Sequence, residues 1–331
     1  MKKVFLSLVA MMATTISFAQ NTVVATLSHE GETTVFYGSS ALIDAVAAAE
    51  SGDIVNLSAG TFKASDITKA ITLRGAGINS EEPTYIINTF SVDIPAEDTK
   101  LFTMEGIRCQ NTMYVRGTFD NPHFVKCQFA VVQNWSESDA VKNIMFVNCK
   151  ITGSIRVGGD NSVFFINSFV TTIEKKQNGS IISVNSIHNQ RSLGDLTQSQ
   201  WYNCIFYCTG YSESYLPADA VVKNCIYPEY DGNNYAYDIF RGMISHPGTA
   251  MFNFAATFKT FTGRNYTDEE TFELTDAAKT AYVGTDGTEI GLNGGLQPFT
   301  SIPSYPLIST MTVDNQTDTD GKLGVTIEVS K

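Results

Sequence analysis

One short pattern recurs through the middle of the chain: an apolar pair, a polar residue, then Cys or Ser. It reads Gly106-Ile107-Arg108-Cys109, Phe124-Val125-Lys126-Cys127, Phe146-Val147-Asn148-Cys149, Phe165-Ile166-Asn167-Ser168, Ser183-Val184-Asn185-Ser186, Trp201-Tyr202-Asn203-Cys204 and Val222-Lys223-Asn224-Cys225. The Cys or Ser steps fall 18, 22, 19, 18, 18 and 21 residues apart. Self-similarity at a fixed period marks a repeat architecture, and this period is too short for a helical hairpin. β-branched and aromatic runs broken by Gly, Asn and Ser read as short strands and turns. Coils of such strands, stacked about 4.8 Å apart, build parallel sheets around a filled interior. The expected fold is all-β, a single-stranded right-handed parallel β-helix with an N-terminal capping helix and an irregular C-terminal arm.

The recurring residues have physical reasons to stack. Asn148, Asn167, Asn185, Asn203 and Asn224 suit a left-handed bend, and their carboxamides are expected to bond one another from coil to coil. Cys109, Cys127, Cys149, Cys204 and Cys225, with Ser168 and Ser186, form a column that asks for a small side chain. Cβ atoms stacked at strand spacing sit too far apart for a disulfide, so buried free thiols are expected. Cys208 falls outside this column.

The ends differ from the middle. Lys2-Lys3, the apolar stretch Val4 to Met12 and the small residues Ser17 and Ala19 read as a secretory signal peptide over 1–19. Segment 20–52 holds a strand and a capping helix over Ser39 to Glu50, with serine at its start. Coils are expected over 53–245 and an arm or cap with a terminal hairpin over 246–331, the arm packing over the far end. The hairpin signal is alternation in Met311 to Val313 and Leu323 to Val329 around Asp320-Gly321.

Only 17% of residues are charged, while 36 Thr and 22 Asn supply much of the polar surface. That composition excludes an all-helical fold. The net charge of -12 leaves no basic footprint for nucleic acid. No run in the mature chain is long and apolar enough for a transmembrane helix.

Gly52-Asp53-Ile54-Val55-Asn56-Leu57-Ser58-Ala59-Gly60-Thr61-Phe62, followed by Ile71-Thr72-Leu73-Arg74-Gly75-Ala76-Gly77, resembles the first coil of pectin-lyase-like right-handed β-helix proteins. Tyr282 to Gly295 and then Ser309 to Val313 are similar to the closing segment of exported Bacteroidetes β-helix proteins described as adhesin- or haemagglutinin-like. The resemblance implies the fold and an exported, secreted, periplasmic or outer-surface location. Lyases, hydrolases and binders share that fold, so the resemblance selects no activity.

The catalytic strings that the resemblance would bring are missing: no Asp-Asp pair with Gly-His-Gly and Arg-Ile-Lys, and no stacked carboxylates for a calcium cage. Arg116, Arg156 and Lys175 each follow their coil's Cys or Ser by seven residues. Such a row is expected either to face an anionic sugar polymer or to form a solvated face. His188, Arg191 and Asp195 form the weaker, catalytic candidate cluster. Trp135 and Tyr211, with Tyr207, Tyr215, Tyr227, Tyr230, Tyr235 and Tyr237, are candidate sugar platforms or core fillers. Asp314 to Gly321 partly resembles a calcium loop, but Gln316 and the missing final Glu favour a turn, so the expectation is no cofactor or metal, with calcium as the alternative.

The leading expectation is an exported, non-catalytic binder of polysaccharide or of a cell-surface partner. The alternatives are a divergent polysaccharide lyase or glycoside hydrolase acting on an acidic polymer, and a structural protein of the cell envelope.

Overall fold

The computed structural model describes residues 23–78, 82–134, 138–176, 179–189, 196–206, 219–228, 249–252, 254–260, 270–317 and 323–330. The chain winds as a right-handed parallel β-solenoid with two long sheets. Each repeat lays one strand in the first sheet, bends, and lays the next in the second. Phe124 thus stands level with Phe146, and Phe146 with Phe165, in successive coils.

Strand alternation sends every second residue inward. In the first sheet the inward column runs Val55, Leu73, Met104, Phe124, Phe146, Phe165, Ser183, Trp201 and Val222. Phe124, Phe146 and Phe165 stack with ring centroids 5.0 and 5.6 Å apart, and Phe129 meets Phe124 and Phe146 edge-on from the second sheet. Such ring pairs add about 0.5–1.5 kcal/mol each beyond the burial of their area. The second sheet contributes Ile86, Cys109, Phe129, Ile151, Val170, His188 and Phe206.

The bend between the sheets is left-handed. Asn148, Asn167, Asn185, Asn203 and Asn224 have φ of 53°, 46°, 49°, 55° and 50°, and Gly106 and Lys126 take the same conformation at the same step. Asn enters this region more readily than other side-chain-bearing residues. The next residue forms the column Ile107, Cys127, Cys149, Ser168, Ser186, Cys204 and Cys225. Here the sequence reading needs correction: Cys109 lies two residues farther on, level with Phe129, and Ile107 holds its place. The column also asks for more than small size. The thiols of Cys127, Cys149, Cys204 and Cys225 donate to carbonyls two residues back, at 3.3 to 3.4 Å, and the hydroxyls of Ser168 and Ser186 do so at 2.9 Å. A short side chain carrying a proton closes the bend, which Cys and Ser both supply. The five cysteines Cys109, Cys127, Cys149, Cys204 and Cys225 are buried free thiols. Burial pushes the Cys127 thiol up to about 12 and raises Cys109 and Cys149 well above the ordinary range.

The N-terminal end of the core is closed by the helix Ala41–Ala48, which buries Ala41, Leu42, Ala45 and Val46. Ser40 starts it without a side-chain cap bond, contrary to the serine cap expected. Its last carbonyls are served instead by Lys69, whose Nζ reaches Ala49 O at 2.5 Å and Ala47 O at 3.2 Å.

The C-terminal arm does not simply cover the far end. It runs back along the line of bends toward the first coils. Asn224 Nδ2 donates to Val283 O (3.2 Å), Asn203 Oδ1 accepts from Thr285 N (3.0 Å), and Asn167 Nδ2 donates to Leu292 O (2.8 Å) and Gly294 O (2.7 Å). Farther along, Lys126 Nζ donates to Ser304 Oγ (2.8 Å), Ser304 N to Glu105 Oε1 (2.6 Å), and Tyr305 OH to Gly75 O. The carboxamides therefore bond the arm rather than one another. Beneath the arm, Phe258, Phe272, Leu274, Ile290 and Leu292 cover Phe169, Ile187, Ile205 and Ile226 on the outer face of the second sheet. After the arm, Leu307–Thr317 pairs antiparallel with Leu323–Ser330 as a hairpin. Among the described residues no helix is long and apolar enough to cross a membrane.

Candidate functional site

The three basic residues expected in one row stand at three consecutive steps. Between Phe129 and Val131 the chain has one residue, whereas the neighbouring coils have two, Gln110-Asn111 and Thr152-Gly153. The bulge before Arg156, and the place of Cys109 two residues past the column, break the constant offset of seven. Gly153 is required at its bulge, because a Cβ there would lie 2.2 Å from Ala130 O. Lys175 falls level with Val157 and Asn134 at an inward step, where it is buried and its Nζ lies 3.2 Å from Thr197 Oγ1. Arg156 is one step earlier and its Nε donates to Glu174 Oε2 at 2.8 Å. Arg116 is level with Asp93. Each of the two guanidiniums thus has an acidic residue level with it in a neighbouring coil.

The register creates a different outward row: Ser91, Tyr114, Gln133, Arg156 and Glu174. Two residues beyond Tyr114, the Arg116 guanidinium lies over the Tyr114 ring, 4.1 Å from its centroid. The strand Ile107–Gly117 ends at Gly117, whose φ of 89° and closeness to Asp93 leave no room for a side chain. Gly117 N donates to Asp139 Oδ1 at 3.0 Å, and Ala140 N donates to Gly117 O at 2.8 Å. These bonds tie Asp139 and Ala140 of the next coil to the strand end. The result is a groove of about 550 Å³ lined by Asp93, Tyr114, Arg116, Gln133, Ser138 and Asp139.

The groove offers an aromatic ring, a guanidinium, a carboxamide, a hydroxyl and two carboxylates, one of them, Asp139, nearly buried. Such a set can make many hydrogen bonds around the flat apolar face of the ring. Among the described residues no His or Cys lines it. Among the described residues no three His, Cys, Asp or Glu side chains gather as metal ligands.

His188 is far from any such groove. It is fully buried in the second sheet's inward column, with Nε2 2.7 Å from Ser183 Oγ and its ring edge-on to Trp201 at 4.6 Å. No substrate reaches it there, so a catalytic role for His188 is replaced by a core role. Trp135, Arg191, Asp195, Cys208 and Tyr211 lie outside the described residues, as do the signal segment and Tyr207, Tyr215, Tyr230, Tyr235 and Tyr237.

Sequence reasoning missed Tyr114, Gln133, Asp93 and Asp139. The alternation in Met113-Tyr114-Val115-Arg116-Gly117 carries the signal for Tyr114 and Arg116, since both polar-capable residues fall on one face. No family model matches the chain, and neither the curated proteins nor the solved structures contain a match to it.

Proposed function

We propose that the protein is an exported, non-catalytic solenoid that binds glycans in the groove beside Tyr114. The observation that carries this reading is the Tyr114–Arg116 pair, set on a rigid sheet face and ringed by Asp93, Gln133, Ser138 and Asp139. Stacked coils hold these groups in fixed register, so the site is preorganised, and less free energy is spent on ordering side chains when a ligand binds. The likeness of the first coil to pectin-lyase-like β-helices, and of the closing segment to exported Bacteroidetes adhesin-like proteins, fits a surface-acting role.

A glycan array probed with the full chain and with Tyr114→Ala tests this. Binding to a defined set of glycans is expected, weakened about tenfold or more in the variant, with unchanged circular dichroism. A flat array rejects the reading. Release of unsaturated or reducing ends from a bound polymer would move the site into the enzyme class.

A further inference from the structure

The composition of the groove goes further than glycan binding and speaks to which glycans. We infer that it selects neutral sugar chains over uronic or sulfated ones, an inference that rests on the groove being a glycan site. Among its described lining residues the charged groups are Asp93, Asp139 and Arg116, two carboxylates against one guanidinium. Arg116 is level with Asp93 and stacked on Tyr114, so an acidic residue and an aromatic face already flank its guanidinium. The next cation along the outward row, Arg156, is engaged by Glu174 at 2.8 Å. Lys175, which would have completed a basic row, is buried at an inward step.

An anionic chain laid in this groove meets a surface of its own sign. Asp139 is 6% exposed, so its charge is screened by little water. A neutral chain has the opposite fit. Its hydroxyls donate to Asp93 and Asp139 and accept from Arg116, all charge-assisted bonds, and no second charge is desolvated. The whole molecule, at -12, reinforces the discrimination at long range.

Chemical-shift titrations of the full chain with cellohexaose, xylohexaose, mannohexaose and laminarihexaose, and in parallel with hexagalacturonate, test the selectivity. At least one neutral hexasaccharide is expected to move the amide signals of Tyr114, Arg116, Gly117 and Gln133, with hexagalacturonate at least about tenfold weaker. Lowering the salt should weaken hexagalacturonate further and leave the neutral ligand unchanged. Asp93→Asn should strengthen hexagalacturonate about fivefold by removing one charge within a few ångströms. Hexagalacturonate binding as tightly as every neutral chain, and more tightly at low salt, would overturn the selectivity while leaving the groove a glycan site. No response to any of the five ligands removes the groove reading and the selectivity together.

Discussion

Ser183 Oγ and His188 Nε2 lie 2.7 Å apart inside the solenoid, bridging the two inward columns of one coil. Ser183 sits between Phe165 and Trp201 in the first sheet, and His188 between Val170 and Phe206 in the second. Each polar group replaces an apolar one where its neighbours above and below are large hydrocarbons, and each makes the other tolerable. Among the described residues His188 Nδ1 has no hydrogen-bond partner.

That pairing predicts strong coupling. Ser183→Ala removes the hydroxyl that lies 2.7 Å from His188 Nε2 and should cost about 1–3 kcal/mol. Adding His188→Phe to Ser183→Ala should recover most of that loss, because an apolar pair of similar shape replaces both partners. Urea denaturation of the wild type, both single variants and the double variant measures the coupling. Additive losses would mean the two residues act independently.

The arm predicts a second asymmetry. Asn167 serves two needs: its left-handed backbone and its two bonds to Leu292 O and Gly294 O. Asn167→Gly keeps the first and loses the second, whereas Asn167→Ala loses both. The alanine variant should be less stable than the glycine variant by about 1–2 kcal/mol, the cost of a left-handed Ala. Both should increase protease cleavage within residues 283–305. Equal melting midpoints for the two variants would show that the backbone conformation contributes nothing.

The repeat made the solenoid legible, because most of its left-handed bends take Asn and all but the one before Ile107 are followed by a short donor, Cys or Ser. What the repeat could not reveal is where a coil carries an extra residue. Thr152-Gly153 inserts a bulge whose only sequence mark is Gly153, and Cys109 stands two residues past its column, so offsets counted from Cys149 and Cys109 put Arg156 and Arg116 on one row with Lys175. The groove was hidden for the same reason. The arm, by contrast, left a readable trace. The residue after the Cys or Ser column is outward and polar at Arg108, Gln128 and Lys150, then turns apolar at Phe169, Ile187, Ile205 and Ile226. An outward face that becomes apolar midway is a face that something covers.

The donor role of the column separates it from a merely small one. Ser168 Oγ donates toward Phe146 O and Ile166 O and accepts from Cys149 N at 3.1 Å. Ser168→Ala takes the acceptor from Cys149 N and one donor from Phe146 O and Ile166 O, and should cost about 1–3 kcal/mol, while Ser168→Cys, which keeps a donor, should cost less. Thermal melts of the two variants decide between the readings. If Ala is as stable as Cys, size alone governs the column.

The arm should also respond to acid. Asp286 is held below the usual carboxylate range, first by the hydrogen bond from Thr288 N (3.0 Å) and then by that from Thr288 Oγ1 (2.8 Å), with Asn185 also contributing. A carboxyl with a lower pKa folded than unfolded favours the folded form fully above its unfolded pKa, and that contribution fades as pH falls through the folded value. Docking of the arm turn at Gly284–Glu289 is therefore expected to be constant from pH 7 to about 5 and to weaken below about pH 4, near the ordinary Asp value. Amide exchange at Thr288 and Gly295 reports it directly. Asp286→Asn should remove the pH dependence; if the variant keeps the same acid transition, another carboxylate controls the arm.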